Sequence, residues 1–391
     1  MENFKNLIRQ NIRQYAMLLA LVVIMIIFQI TTNGVLLMPR NVSVLIMQNS
    51  YILILAIGMI LCILTGGNID LSVGAVVAYV SAFSALFSVT MGLPVVLSIF
   101  LALIMGLLAG MWQGFWIAYI KIPAFIVTLA GMLVFRGFSN MILKSQTILL
   151  PDLYVTIASK FIPDFIGDAM GGTGLHITTI VIGFIASVVY VIAQYRTRRN
   201  KIKYKFEVIS NGFFIAQIVS IAAVINLFMF WLSREKGLPY VLLLLSVLVA
   251  IYTFITLKTV AGRHIYALGG NAKAAALSGV KTKRVMFWVY ANMGLLSAVA
   301  GIVFAGRLNS ASPTAGLGFE LDAIAACFIG GASATGGVGT IMGAIIGGFI
   351  MGILNNGMSI MGVETYYQEI IKGLVLLFAV GFDVYSKSKA K

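Results

Sequence analysis

Apolar runs long enough to cross a bilayer recur from one end of the chain to the other, with short polar stretches between them. A hydrocarbon core of ~30 Å is crossed by about 20 apolar residues in a helix, because backbone amides in lipid must bond within their own segment. By that measure the pattern predicts spans over 15–31, 42–64, 71–89, 94–119, 123–143, 175–193, 211–232, 240–257, 285–305, 320–335, 341–358 and 368–384. The expected fold class is therefore an all-α polytopic membrane protein, one transmembrane domain over residues 1–391 with about 12 transmembrane segments and both termini cytoplasmic. The basic start MENFKNLIRQNIRQ resembles a signal peptide. The stretch TTNGVLLMPRN after the first apolar run offers no small-residue cleavage site, so that run is read as a retained first helix.

Composition excludes a water-soluble fold: 60% of the 391 residues are hydrophobic and 10% charged, against about 45–50% and about 25% in soluble domains. The direction of the crossings follows from the basic residues, which are held on the cytoplasmic side. With the N-terminus inside, 19 of the 27 basic residues and 4 of the 12 acidic ones fall in inner segments, so the whole net charge of +15 lies on one face. Lys5, Arg9, Arg13, Lys121, the run from Arg196 to Lys205, the run from Lys258 to Arg284, and Lys387, Lys389 and Lys391 make up the basic set. Glu2, Asp70, Glu207 and Asp383 are the inner acids. Because the charge is divided among short loops, the pI of about 9.8 reads as topology and not as a nucleic-acid surface.

Two polar stretches punctuate the middle of the chain. Residues 144–174, with Asp152, Asp164, Asp168 and GGTG, read as an outer loop, and YRTRRNKIKYK joins spans 175–193 and 211–232 into an added helical hairpin. Together they set off 145–232 as an outer loop plus inserted hairpin. Residues 258–284 form a long inner loop in which Asn271 is placed to cap a short helix, AKAAALSGV, with its alanines and Leu277 on one side and Lys273 exposed. Such a small-residue face is suited to docking on a partner or lying on anionic lipid.

No catalytic constellation is visible. His176 and His264 have no HExxH or neighbouring acid in sequence. Gly331 and Gly336 have the glycine spacing of a phosphate loop, but Gly337 stands where its lysine belongs. Cys62 and Cys327, each inside an apolar run, make neither a disulfide framework nor a metal site. Gly339, Gly343 and Gly347 recur every four residues, a face on which a second helix can approach closely. Polar residues beside spans carry more information, since charge in a membrane is costly. TGGNIDLSVG (65–74) holds Asn68 and Asp70, and GLGFELDAIAACFIGGASATGGVG (316–339) holds Glu320 and Asp322 at a helix start. Carboxylates there can cap a first turn or accept from sugar hydroxyls. The charge count puts the first junction at the cytoplasmic side and the second at the exterior, two helix–turn–helix units of opposite orientation, as in an inverted repeat.

Those two stretches, with PAFIVTLAGMLVFRG (123–137), GRHIYALGGNAKAAALSGV (262–280) and NNGMSIMGV followed by YYQEIIKGLVLLFAVGFD (355–383), resemble the permease subunits of bacterial monosaccharide ABC importers. The likeness covers about residues 40–144 and 240–384 of the ribose, galactose and xylose group. The hairpin at 175–232 is similar to the xylose or multiple-monosaccharide branch. Asn68 departs from the group's shorter TGG-IDLSVG pattern. The resemblance implies a permease of the bacterial cytoplasmic membrane that is not itself an enzyme and binds no cofactor, working with an ABC ATPase that uses ATP and Mg, an extracytoplasmic sugar-binding protein and a second permease copy. It implies that the loop with Gly262, Arg263, Gly269, Gly270, Asn271, Ala275, Ala276, Leu277, Ser278 and Gly279 meets the ATPase. Candidates for the sugar path are Asn68, Asp70, Phe125, Asn309, Glu320 and Asp322. Two alternatives are a nucleoside or furanose-signal permease of the same architecture and a proton-coupled secondary transporter. The latter would want a titratable residue at mid-membrane, whereas Asp70, Glu320 and Asp322 read as span ends and Arg136 as the charge well inside a span.

Overall fold

The computed structural model describes residues 2–169, 174–206, 208 and 210–388, with the side chains of 1–16, Phe382, Asp383 and 385–388 left aside. Residues 171–173 of GGTG, Glu207, Lys389 and Lys391 lie outside the described residues, as do the side chains of Glu2, Lys5, Arg9, Arg13, Asp383 and Lys387.

The chain is helical almost throughout. Helices α1 (Glu2–Thr31) and α2 (Pro39–Leu64) are followed by α3 (Val73–Ala85), α4 (Val95–Phe115) and α5 (Ala124–Leu143). Helices α3 and α4 each end in a π-helical turn, Leu86–Thr90 and Trp116–Ile120. A two-residue strand β1 (Ile148–Leu149) leads to the short helices α6 (Asp152–Ser159) and α7 (Phe165–Ala169), then to α8 (Ile177–Lys203), α9 (Asn211–Ser233) and α10 (Tyr240–Lys258). Next come α11 (Val260–Gly270), α12 (Ala272–Leu277), α13 (Thr282–Leu308), strand β2 (Ser310–Ala311), α14 (Phe319–Ile329), α15 (Ile341–Ile360) and α16 (Thr365–Ser388). Strands β1 and β2 pair antiparallel, Ile148 opposite Ala311.

Among the described residues nine helices are long and apolar enough to cross a membrane. The three other expected spans fall on α1, α14 and α16. Span 320–335 is corrected: α14 has 11 residues, rising about 16 Å, half of a hydrocarbon core. After Ile329 the chain continues through Gly330, Gly331, Gly336 and Gly337, the last three at positive φ, which an apolar window cannot distinguish from helix.

The chain forms two compact units, one of residues 1–36, 45–159 and 241–391, the other of 37–44 and 160–240. Of the stretch 145–232, residues 145–159 thus belong to the first unit, where α6 lies on α13: a Cβ at Gly306 would overlap the Tyr154 carbonyl oxygen.

In the first unit α2 is the innermost helix, with Leu53 to Leu64 at most 3% exposed. Backbone-on-backbone contacts hold its neighbours. On α4, Gly106, Gly110 and Gly114 form a four-residue repeat against α13, and a Cβ at Gly110 would overlap the Tyr290 carbonyl oxygen. Small residues allow this approach in lipid, where no solvent drives helices together. On α15, Gly343 and Gly347 meet Gly330 and Ala326 of the α14 segment. Gly339 is not on that helical face; it precedes the helix at φ +149°.

In the second unit α8 packs on α9 through Gly183 against Met229 and a 2.7 Å hydrogen bond from Asn226 Nδ2 to Ser187 Oγ. The start of α8 is organised by Asp164, which accepts from Thr178 N (2.8 Å), Thr178 Oγ1 (2.8 Å), Ile177 N (2.9 Å) and Gly167 N (3.1 Å). Desolvation acts to raise the Asp164 pKa, but these donors outweigh it and hold the carboxyl well below the usual carboxylate range. His176, without a neighbouring acid in sequence, has one in space: its Nδ1 lies 3.7 Å from Asp164 Oδ1. Its Nε2 bonds the Ile162 carbonyl at 2.8 Å, so it is committed to structure.

Candidate translocation path and coupling loop

The two polar junctions turn inward and meet. After α2 the backbone of 65–72 leaves the helix, and Gly66 and Gly67 abut Gly336 and Ala334. Eight residues further on, the first turn of α3 abuts the start of α14: a Cβ at Gly74 would overlap the Gly316 carbonyl oxygen and stand 2.7 Å from Glu320 Oε2. The stretch 65–74 therefore runs alongside α14, from Ala334 beyond its end to Gly316 before its start. Non-helical backbone inside a membrane bundle requires protein around it. It has that: Asp70 is 3% exposed and accepts from Ser72 N (2.8 Å) and Ser72 Oγ (2.7 Å), while Gln113 Nε2 donates to Ser72 Oγ at 2.5 Å. Asn68 Nδ2 donates to Thr65 Oγ1 at 3.3 Å. On the other junction Arg136 Nη1 donates to the carbonyls of Pro313 (2.8 Å) and Ala315 (2.5 Å), fixing the descending segment before α14. Asp70 thus closes an Asx turn ahead of α3, which itself has no side-chain cap, and Arg136 is a brace.

A cavity of about 400 Å³ opens beside the α14 start, between α2, α14, α15 and α16. Its lining is polar for a membrane bundle, with Gln48, Asn49, Asn355, Ser359, Gln368 and Glu369. Lys372 Nζ stands 3.5 Å from Asp322 Oδ1 across it. Tyr51 and Phe319 stack along one side, centroids 4.5 Å apart. Asn355 Oδ1 is buried with no hydrogen-bond partner. Carboxamides, a hydroxyl, a carboxylate and an aromatic face are groups that meet sugar hydroxyls and the apolar face of a sugar ring, and the volume falls in the range of small-molecule sites, about 300–1,000 Å³.

Of the path candidates, Glu320 lies against Gly74 in the junction that also holds Asp70, Asn68 turns back to Thr65 and Met286, and Asp322 enters the cavity. Phe125 does not join them: it is 57% exposed on the outer face of α5. Asn309 is an exposed left-handed C-cap of α13, φ +53°. The cavity's carboxamides and Lys372 were missed. Their signal was present, since Asn49, Asn355 and Lys372 each interrupt an apolar run.

The inner loop contains two helices where one was expected. Asn271 caps α12 as read, its Oδ1 accepting from Ala274 N at 3.0 Å, but α11 before it was not foreseen. Gly262 packs on the Thr256 carbonyl and Gly269 on the Leu64 carbonyl. Gly337 N donates to Leu64 O at 3.1 Å and Tyr266 Oη to Gly339 O at 2.7 Å. Helix α11 is thereby fastened to the inner ends of both broken units. Arg263, Gly270, Asn271, Ala276, Ser278 and Gly279 are exposed, and Leu277 is 91% exposed. Ala275 is corrected: at 5% exposure it faces into its own chain, not the docking side, because a six-residue helix turns positions 275 and 277 to opposite faces.

The profile of the family described as branched-chain amino acid transport system / permease component matches residues 41–161 and 164–380. The chain is 39% identical over 381 residues to the xylose transport system permease protein XylH of Haemophilus influenzae, covering 97% of this chain and 98% of that one. It is 39% identical over 389 residues to XylH of Escherichia coli K12, covering 99% and 95%. It is 36% identical over 365 residues to the ribose import permease protein RbsC of Bacillus subtilis, covering 93% and 91%. No solved structure matches. With membrane helices matched by that profile along most of its length, the chain belongs to the branched-chain amino acid transport system permease family.

Proposed function

We propose that this chain is the membrane-spanning permease subunit of an ATP-driven importer that moves a monosaccharide, a pentose or hexose, across the bacterial cytoplasmic membrane. The observation that carries the reading is end-to-end similarity to permeases named for xylose transport, with the hairpin region included. The polar cavity at Asp322 and Lys372 supports it as a stretch of the sugar path. Energy comes from a separate ABC ATPase that uses ATP and Mg, and an extracytoplasmic sugar-binding protein delivers the sugar. A second copy of this permease completes the pore. The exposed side of α12 meets the ATPase, and α11 passes its movement to Leu64 and Gly337, the inner ends of the two broken units. Because a ligand shifts an equilibrium only by its differential affinity for the two states, nucleotide on the partner must supply the switch, and the sugar site here can be weak.

The test is labelled-xylose uptake into proteoliposomes holding the permease with ATPase and binding protein. Uptake should require all three and internal ATP. Uptake by the permease alone, driven by a proton gradient and abolished by an uncoupler, would favour a secondary transporter instead.

A further inference from the structure

A second cavity, about 590 Å³, opens between α10, α11 and α13 on the side that carries the inner basic loops. One wall is apolar, built by Leu61, Ile255, Ile265 and Val289. At its other end stand Lys281, Arg284 and His264, and no carboxylate lines it. Neither Lys281 nor Arg284 makes an ion pair among the described residues. Both lie at the N-terminal end of α13, whose first turn holds no acid, and the positive end of a helix repels cations. Two exposed cations with no acid beside them at the positive end of a helix favour an anion there. Trp288 borders the same opening at 59% exposure, the position of an amphipathic ring at headgroup level. Asn292 accepts from Tyr252 Oη on the cavity wall, while its own Nδ2 is buried without a partner.

We propose that this cavity holds an anionic phospholipid of the inner leaflet. Its phosphate lies on Lys281 and Arg284, and its acyl chain runs along Leu61, Ile255 and Val289. A free phosphate would leave the apolar wall bare, and a lipid fills both ends. Gly279 and Lys281 link this cavity directly to α12, so the lipid braces the segment proposed to meet the ATPase.

The full chain, alone and with its ATPase, is placed in nanodiscs of phosphatidylcholine with a minor fraction of phosphatidylglycerol, and retained lipid is counted by native mass spectrometry. The wild type should enrich phosphatidylglycerol over the bulk. Lys281→Gln with Arg284→Gln should lower that enrichment by about 30-fold, the combined attraction of two surface cations for anionic lipid. Ala261→Trp, which adds bulk to the lining without altering charge, should lower it too, and Lys201→Gln in the α8 basic loop should not. No enrichment in the wild type overturns the proposal without reference to any variant. Unchanged enrichment in the double variant also overturns it. So does loss of the ATPase with lipid retained, which would make the cavity a protein-docking face.

Discussion

Lys372 and Asp322 are a cation and a carboxylate in a bundle with few other charges, and each keeps the other tolerable. Asp322 is nearly buried and Lys372 keeps 28% side-chain exposure, so the pair lies between the surface and interior cases. Lys372→Met strands the carboxylate at a cost of about 1–3 kcal/mol. The expected result is that Lys372→Met lowers sugar uptake and thermal stability, and that adding Asp322→Asn recovers stability. A double variant no more stable than the single would show that the two residues act independently. Asp164 makes a prediction of the opposite sign, in water. Its folded pKa lies below its unfolded value of about 3.9, so its contribution is complete above the unfolded pKa and drains away as pH falls toward the folded one. Protection of the Ile177 and Thr178 amides, taken relative to the intrinsic exchange rate at each pH, should stay high from neutral pH down to about 4 and fall below it, while Asp164→Ala should lack it throughout. Exchange that is the same in both proteins at neutral pH would remove Asp164 from the capping role.

At the scale of elements the decisive feature is glycine on facing helices. Gly110 of α4 has the Tyr290 and Ala291 carbonyls where a Cβ would go, and Gly137 of α5 has open space. Gly110→Val should therefore cost about 1–3 kcal/mol or more and lower the amount of folded protein in the membrane. Gly137→Val, on another helix of the same unit, should do neither. Equal behaviour of the two would mean that α4 and α13 are not held by close approach. The α12 faces can be separated in the same way. Leu277→Asp should weaken co-purification of the ATPase and leave thermal stability unchanged, whereas Ala275→Trp should lower thermal stability, because Ala275 is packed inside the loop. Retention of the ATPase by Leu277→Asp would move the docking surface elsewhere. Hydropathy located the full-length helices because lipid leaves the backbone no alternative to a helix. It read α14 too long because Ala332, Ala334 and the glycines beside them add apolar weight without adding helix. The meeting of Gly74 with Gly316 was not legible, since two glycines in sequence carry no record of which carbonyl each one faces. Lys372 was legible as a charge within an apolar run, but its pairing with Asp322, read as a cap or a path residue, was not, since 50 residues of chain separate them.

At the scale of the whole molecule, charge fixes direction. Cysteines introduced at Lys201 and Lys273 should react only with reagents that reach the cytoplasm, and one at Lys160 should react from outside. The native Cys62 and Cys327 are both buried and give little background. Labelling of position 201 from outside in intact cells would invert the assignment.

The junction of Leu64, Gly269 and Gly337 bears on a different demand, electrical insulation. A cell membrane carries a potential worth about 2.3 kcal/mol per elementary charge at 100 mV, and any protein whose crossing segments are interrupted risks offering protons a file of water through the gap. Here the interruptions at 65–72 and 330–340 converge on α11, where main chain lies against main chain with no side chain between: Gly269 on the Leu64 carbonyl, Gly337 N bonded to that same oxygen, Gly336 against Gly66. These contacts leave little room between the chains, and the Leu64 carbonyl and the Gly337 N–H, groups a water wire could use, are already bonded to each other. The glycines that interrupt the helices at this junction are thus also the ones whose close packing narrows the gap such a file would need.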